Sequence, residues 1–348
     1  MLGLFLLAPA LLIPFQKGES VDFNRQIRPL LSDKRFTCHW PDAQSPKADL
    51  RLDVEAQAHA SGTIVPGKPG ESSLVDRIHS TDVSRKMPPP KSGKVLTASE
   101  KELLVRWIGQ GGKFASHWAY QFPVRSKVPA VTETTWPRNP IDFFLLARLE
   151  REKILPSSDA DPRTRIRRLH LDLTGLLPNG KNADDFVADP SDARWAAEVD
   201  RLLATDSHAE RMASWWLDLV RYADTVGYHG DQEHAASPYR DWVIDAFANN
   251  MPFNRFTISQ LAGDQLPNPS TEDLIATCYN RLLQTSHEGG VQAREYRAIY
   301  AADRVRNLSV VWMGATIGCA QCHDHKYDPF SQKDFYALAA CFADVDDE

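Results

Sequence analysis

Apolar positions recur at helical spacing along most of the chain, and strand-like alternation is scarce. Near the start, Val21, Phe23, Ile27 and Leu30 or Leu31 fall close to one helical face. A second helix is predicted over 97–109, with Leu103, Leu104, Trp107 and Ile108 as its apolar side. Thr97 is placed to cap it, and Glu100, three residues on, completes the pattern of a capping box. Gly109, Gly111 and Gly112 supply the stop. From Asn139 onward, apolar faces predict helices over 141–153, 162–173, 192–204, 207–223, 238–249, 252–261, 271–282, 293–317 and 332–340. Several of these begin with Asp, Ser, Thr or Pro, residues suited to helix starts. The expected fold is mostly α, with a small helical domain over 21–115 rich in Pro, Gly and Lys. A Pro- and Thr-rich linker over 116–138 follows, then a larger helical domain over 139–348 with irregular connections.

A length of 348 residues agrees with two domains. The net charge of −6, without a stripe of basic and aromatic residues, excludes an electrostatic case for nucleic-acid binding. Residues 1–20 read as a signal segment. The apolar run 2–14 is too short to span a bilayer but has the length of a secretory core, with small residues at Ala8 and Ala10. It lacks the usual basic start. No later stretch is long and apolar enough to cross a membrane, and an exported location is expected.

The chemistry lies in the cysteines and histidines. Five cysteines are present, an odd and sparse set that does not make a disulfide framework. Cys319-Ala320-Gln321-Cys322-His323 is the pattern of covalent c-type haem attachment. Two thiols three residues apart add to the haem vinyl groups, and the adjacent imidazole becomes the proximal iron ligand. Two other uses suit the same residues. Cys319, Cys322, His323 and His325 carry the sulfur and nitrogen donors of a zinc site, or the two cysteines pair as a disulfide. Phe36-Thr37-Cys38-His39 reads as a broken copy of the haem pattern, with Arg35 where its first Cys belongs. Met87, on the Pro-rich stretch Met87-Pro88-Pro89-Pro90, suits the distal ligand of a small cytochrome c, since a thioether is a neutral, polarisable donor. Without Cys38 and His39 before it, Met87 would read as core filler.

With these residues in place, 21–120 resembles the Planctomycete cytochrome C domain. The likeness is carried by Ile27-Arg28-Pro29-Leu30-Leu31, Cys38-His39, Leu50-Arg51-Leu52-Asp53, Val65-Pro66-Gly67-Lys68-Pro69, Ser72-Ser73-Leu74, Met87-Pro88-Pro89, Arg106-Trp107-Ile108 and His117-Trp118-Ala119. Residues 139–347 resemble the large domain that follows it in the same exported bacterial proteins, through 139–150, 167–178, 216–225, 239–247, 260–267, Glu288-Gly289-Gly290 and 318–329. Trp40, where the family usually has Gly, is a second departure beside Arg35. The resemblance implies an exported protein that binds one or two haem c groups, with an unidentified redox partner. It implies no activity for the large domain. Members continue past this point, so the chain resembles a truncated fragment.

The first site would then use Cys38 as a single thioether, His39 as proximal ligand and Met87 as distal ligand. The second would use Cys319, Cys322 and His323, with His287 as one candidate for its distal ligand. Two other functions stay open at this point: a metal-dependent oxidoreductase or hydrolase built on Cys319, Cys322, His323 and His325, and a cell-surface structural protein with a vestigial cytochrome domain. Asp324, His325 and Asp328 suit supporting or proton-carrying groups around the second site. Asp218, Arg221, Arg240, Asp241, Asp264, Asp303 and Arg304 read chiefly as ion pairs tying helices together. Trp195, Trp215, Trp216, Trp242 and Trp312 read as core, and Cys278 and Cys341 as buried small apolar residues.

Overall fold

The structure is a computed structural model that describes residues 20–34, 52, 54–286, 288–325 and 328–345. It is mostly α-helical: no strand occurs among the described residues, apart from one isolated antiparallel bridge between Thr225 and Glu233. Backbone contacts group the chain into two compact units, Met1–Pro123 with Cys322–Gln332, and Val124–Gln321 with Lys333–Glu348. The point of division, Pro123, lies inside the Pro- and Thr-rich stretch 116–138.

In the first unit a π-helical turn, Phe23–Ile27, runs into α1 (Arg28–Lys34), and α2 (Glu55–Ala60), α3 (Ser73–His79) and α4 (Ala98–Gly109) follow. One apolar core joins them, built on Ile27, Leu31, Leu52, Ile64, Leu74, Ile78, Leu104 and Trp107. Trp107 buries its ring and keeps its polar end satisfied, since Nε1 donates to the Lys113 carbonyl at 3.0 Å. The capping box of α4 forms as the sequence predicts. Thr97 Oγ1 accepts from Glu100 N at 3.2 Å, and the Glu100 carboxylate accepts from Thr97 N at 2.7 Å. Thr97→Ala is expected to cost about 1 kcal/mol of this unit's stability, read as a lowered midpoint in urea with unchanged slope.

The second unit carries α5 (Pro140–Glu152), α6 (Pro162–Thr174), α7 (Gly180–Ala188), α8 (Asp192–Leu203) and α9 (Asp206–Val220). After a long excursion come α10 (Ser237–Ala248), α11 (Phe253–Ala262), α12 (Thr271–Ala276), α13 (Ala293–Met313) and α14 (Gln332–Ala340). A small core of Ile166, Leu169, Ala183, Phe186 and Leu202 sits under α6 to α8. The main core gathers Trp216, Tyr239, Trp242, Val243, Phe256, Ala276 and Tyr279.

Several expectations need correcting. The helix predicted over 207–223 stops at Val220, because Arg221 turns left-handed at φ 61°. The run predicted over 293–317 stops at Met313, where Gly314 takes φ 58° and Ala315 N closes the end onto the Ser309 carbonyl. The stretch 271–282 tightens to a 3-10 turn from Thr277. Trp215 is 48% exposed rather than core, lying against the Arg211 guanidinium 4.8 Å away. Cys341 is exposed, at the turn after α14, and Cys278 is only half-buried, where burial pushes its thiol pKa up. Arg221 pairs with Asp303 on α13, with contacts of 3.0 and 2.6 Å, an ion pair that ties two helices together. No helix among the described residues is long and apolar enough to cross a membrane.

Candidate functional site

Cys319 lies in a 3-10 turn, Ile317–Gln321, that opens soon after the left-handed Gly314 ends α13. Ile317 and Ala320 of that turn are buried, which leaves Cys319 facing outward. Cys319 and Cys322 are both exposed free thiols, as covalent attachment of a cofactor requires. His323 is exposed as well. Its Nδ1 lies 2.9 Å from the Asp324 carbonyl, which can only accept, so Nδ1 carries the ring proton. In the neutral ring the lone pair is then on Nε2, the usual iron-binding nitrogen when Nδ1 donates to a carbonyl.

The segment after His323 folds within the first unit and is held by several interactions. The Asp324 carboxylate accepts from Gln332 N at 2.7 Å. His325 N donates to the Phe330 carbonyl, and Phe330 N to the Asp328 carbonyl, both at 2.8 Å. Phe330 packs edge-on to Tyr120 with ring centroids 5.4 Å apart. Asp328 stands between two imidazoles: His117 Nε2 is 3.5 Å from one carboxylate oxygen and His325 Nδ1 is 3.6 Å from the other. Asp324 thus contacts His323 through its carbonyl and Gln332 through its carboxylate.

The two histidines beside Asp328 are set differently from His323. His325 is buried, and its Nδ1 accepts from Asp328 N at 2.8 Å, which places its proton on Nε2. His117 Nδ1 accepts from Ala119 N at 3.3 Å, so its Nε2 proton faces Asp328. Burial lowers the His117 pKa, the Arg28 charge lowers it further, and Asp328 partly opposes both. A histidine whose folded pKa lies below its unfolded value favours the unfolded chain once protons bind. Its contribution is therefore absent above about pH 6.5 and destabilises progressively as pH falls below that value. Melting temperature measured from pH 8 to pH 5 is expected to fall less steeply in His117→Gln than in the wild-type chain.

Among the described residues no group of three or more His, Cys, Asp or Glu side chains is arranged to hold a metal ion. Of the first haem site predicted from sequence, Cys38 and His39 lie outside the described residues, as do Arg35 and Trp40. His287 does too. Met87 is described: it is half-buried beside the buried Pro88, and its backbone N donates to the Arg77 carbonyl of α3 at 2.9 Å. One imidazole of the first unit escaped sequence reasoning. His59 Nε2, on α2, is buried with no hydrogen-bond partner, and its ring lies 5.9 Å from Phe114. A lone histidine on a short helix carries no motif that would mark it.

The described residues make a mostly α protein with a Cys-x-x-Cys-His segment at 319–323. Residues 140–347 match PSCyt2, described as a protein of unknown function (DUF1549), and the chain belongs to that family. Ahead of it, residues 36–91 match the Planctomycete cytochrome C family, PSCyt1, in the order the resemblance implied. No curated protein and no solved structure matches the chain.

Proposed function

We propose that the chain is a c-type haem protein that transfers single electrons outside the cytoplasm, with covalent haem at Cys319, Cys322 and His323. One observation supports this reading most: the Cys-x-x-Cys-His motif carries two exposed thiols, and its histidine donates Nδ1 to a carbonyl, which puts the lone pair of the neutral ring on Nε2. When bound, haem supplies a one-electron couple whose potential is set by axial ligands, hydrogen bonding and burial. The protein's own residues then have distinct tasks. Cys319 and Cys322 would fix the macrocycle and His323 would ligate the iron, with the Asp324 carbonyl orienting the imidazole. Asp328 and His325 hold the following loop in shape.

In the first domain, Cys38, His39 and Met87 would serve a second haem through one thioether, and the match of residues 36–91 to the Planctomycete cytochrome C family favours haem c there in general. His325, buried and already accepting from Asp328 N, is better suited to support than to ligation of a metal. The exported location and the redox partner follow from this reading as proposals.

The test is a pyridine haemochrome spectrum of the chain produced in a host with cytochrome c maturation machinery. Haem that stays bound through acid–acetone extraction and has the absorbance of two thioethers is expected for residues 319–323. A component with one thioether marks Cys38. Chain isolated without covalent haem overturns the reading.

A further inference from the structure

We propose that the cavity bounded by helix α13 and the segments 285–291 and 342–345 of the second unit binds a neutral saccharide. The cavity encloses about 680 Å³, within the range of small-molecule sites, and its described lining belongs entirely to the second unit. Ala293, Tyr296, Arg297, Tyr300, Ala301 and Arg304 make one wall, since spacings of three and four put them on one face of α13. The remaining walls come from 285–291 and from the turn after α14. Ser286 N donates to the Tyr300 hydroxyl at 2.7 Å, which ties the first of these segments to the helix. The same segment holds Glu288-Gly289-Gly290, a block to which electron transfer gives no task. Its turn needs glycine, because Gly290 takes φ 97°.

The chemistry of the lining favours one ligand class. Glu288, Arg297 and Asp344 are exposed, and among the described residues none of their side chains makes an ion pair or a hydrogen bond. Charges of both signs therefore line one cavity without neutralising each other. An anion would meet two carboxylates there, and a cation a guanidinium. A zwitterion would match Arg297 and one carboxylate and leave the other without a counter-charge. A sugar hydroxyl both donates and accepts, so one polyol can serve both carboxylates, the guanidinium and the hydroxyls of Thr285 and Ser286 together. Tyr296 and the buried Phe342 add the aromatic surface on which the C–H face of a pyranose ring packs. The Tyr296 ring is held by edge contacts with Tyr228 and Tyr300, at 6.2 and 5.7 Å between centroids, so little of its freedom is lost on binding. Nothing is asked of Arg304, which is buried and donates through Nε to the Asn280 carbonyl at 2.7 Å, or of the Tyr300 hydroxyl. None of this depends on haem, so the cavity stands or falls apart from the electron-transfer reading.

The test is isothermal titration of the full chain with maltotriose, cellotriose and xylotriose, and with glutamate, lysine and inorganic phosphate as charged probes. Saturable binding of at least one trisaccharide, and of none of the charged probes, is expected. Arg297→Gln and Glu288→Gln, both at exposed positions, are each expected to weaken binding about tenfold, which corresponds to about 1.4 kcal/mol. Tyr296→Ala, which removes the packing surface, is expected to abolish it. Arg194→Gln, on α8 and outside the cavity, should bind like wild type. No saturable binding of any trisaccharide by the wild-type chain overturns the proposal, and so does binding of glutamate, lysine or phosphate in their place. Equal affinity in wild type and in folded Arg297→Gln and Glu288→Gln chains places the sugar elsewhere and overturns it as well.

Discussion

With Cys319 and Cys322 both replaced by alanine, the chain should leave a cytochrome c maturation host without the two-thioether haem at residues 319–323. The effect is all or none, because each thioether forms from one of these sulfur atoms. Both side chains are exposed, so their removal opens no cavity and should leave far-UV circular dichroism and melting temperature of the haem-free chain unchanged. A single replacement is expected to leave one thioether and a shifted haemochrome band. Haem attached through Cys38 would persist in the double variant and disappear only when Cys38 is also replaced. If the double variant keeps its full complement of covalent haem, the Cys-x-x-Cys-His segment is not the attachment site.

The largest effect on stability is expected deep in the second unit, at Gln260. Its Oε1 accepts from Trp216 Nε1 at 3.0 Å and from the Tyr239 hydroxyl at 2.6 Å, while its Nε2 donates to the Phe256 carbonyl at 3.0 Å. Gln260 and Tyr239 are fully buried, and Trp216 nearly so. Burial drives the Tyr239 pKa far up, so the phenol stays protonated and needs an acceptor. Gln260→Ala removes that acceptor and leaves a cavity among Trp216, Tyr239 and Phe256. Trp216 Nε1 retains the Tyr239 oxygen at 3.2 Å, which limits the loss. A destabilisation of about 3 kcal/mol is expected from one orphaned donor plus the cavity. Urea unfolding followed by tryptophan fluorescence measures it. A change below about 0.5 kcal/mol, the range of surface substitutions, would show that this network does not hold the core together.

How far the fold was legible depended on what each signal measures. Apolar periodicity located the long helices, because each buries one face, and the capping box at Thr97 and Glu100 fixed the start of α4 to the residue. Helix ends were less legible. Nothing in the apolar pattern told that Arg221 would turn left-handed and cap the helix there, since apolar spacing carries no signal for a left-handed C-cap. Helix α7 escaped notice: with Ala183 and Phe186 as its only buried residues, it is too short to establish a period. Trp215 next to Trp216 illustrates a related limit, because composition gives both the same reading while the helix turns one outward and the other into the core.

The site was legible where chemistry demands adjacent residues. Cys319, Cys322 and His323 are visible as a motif because the attachment and ligation proposed for them act over one short stretch. His117 and Asp328 lie far apart in the chain and meet only in the fold, so their pairing carries no spacing signal.

The central claim is covalent haem, and the most direct test is the intact mass of the exported chain under denaturing conditions. The account predicts a mass increased by one haem when only residues 319–323 are loaded and by two when Cys38 is loaded as well. Peptide mapping should place one of them on the fragment that contains Cys319 and Cys322. A chain that emerges from a competent maturation host at its bare polypeptide mass, with both thiols open to alkylation, would contradict it.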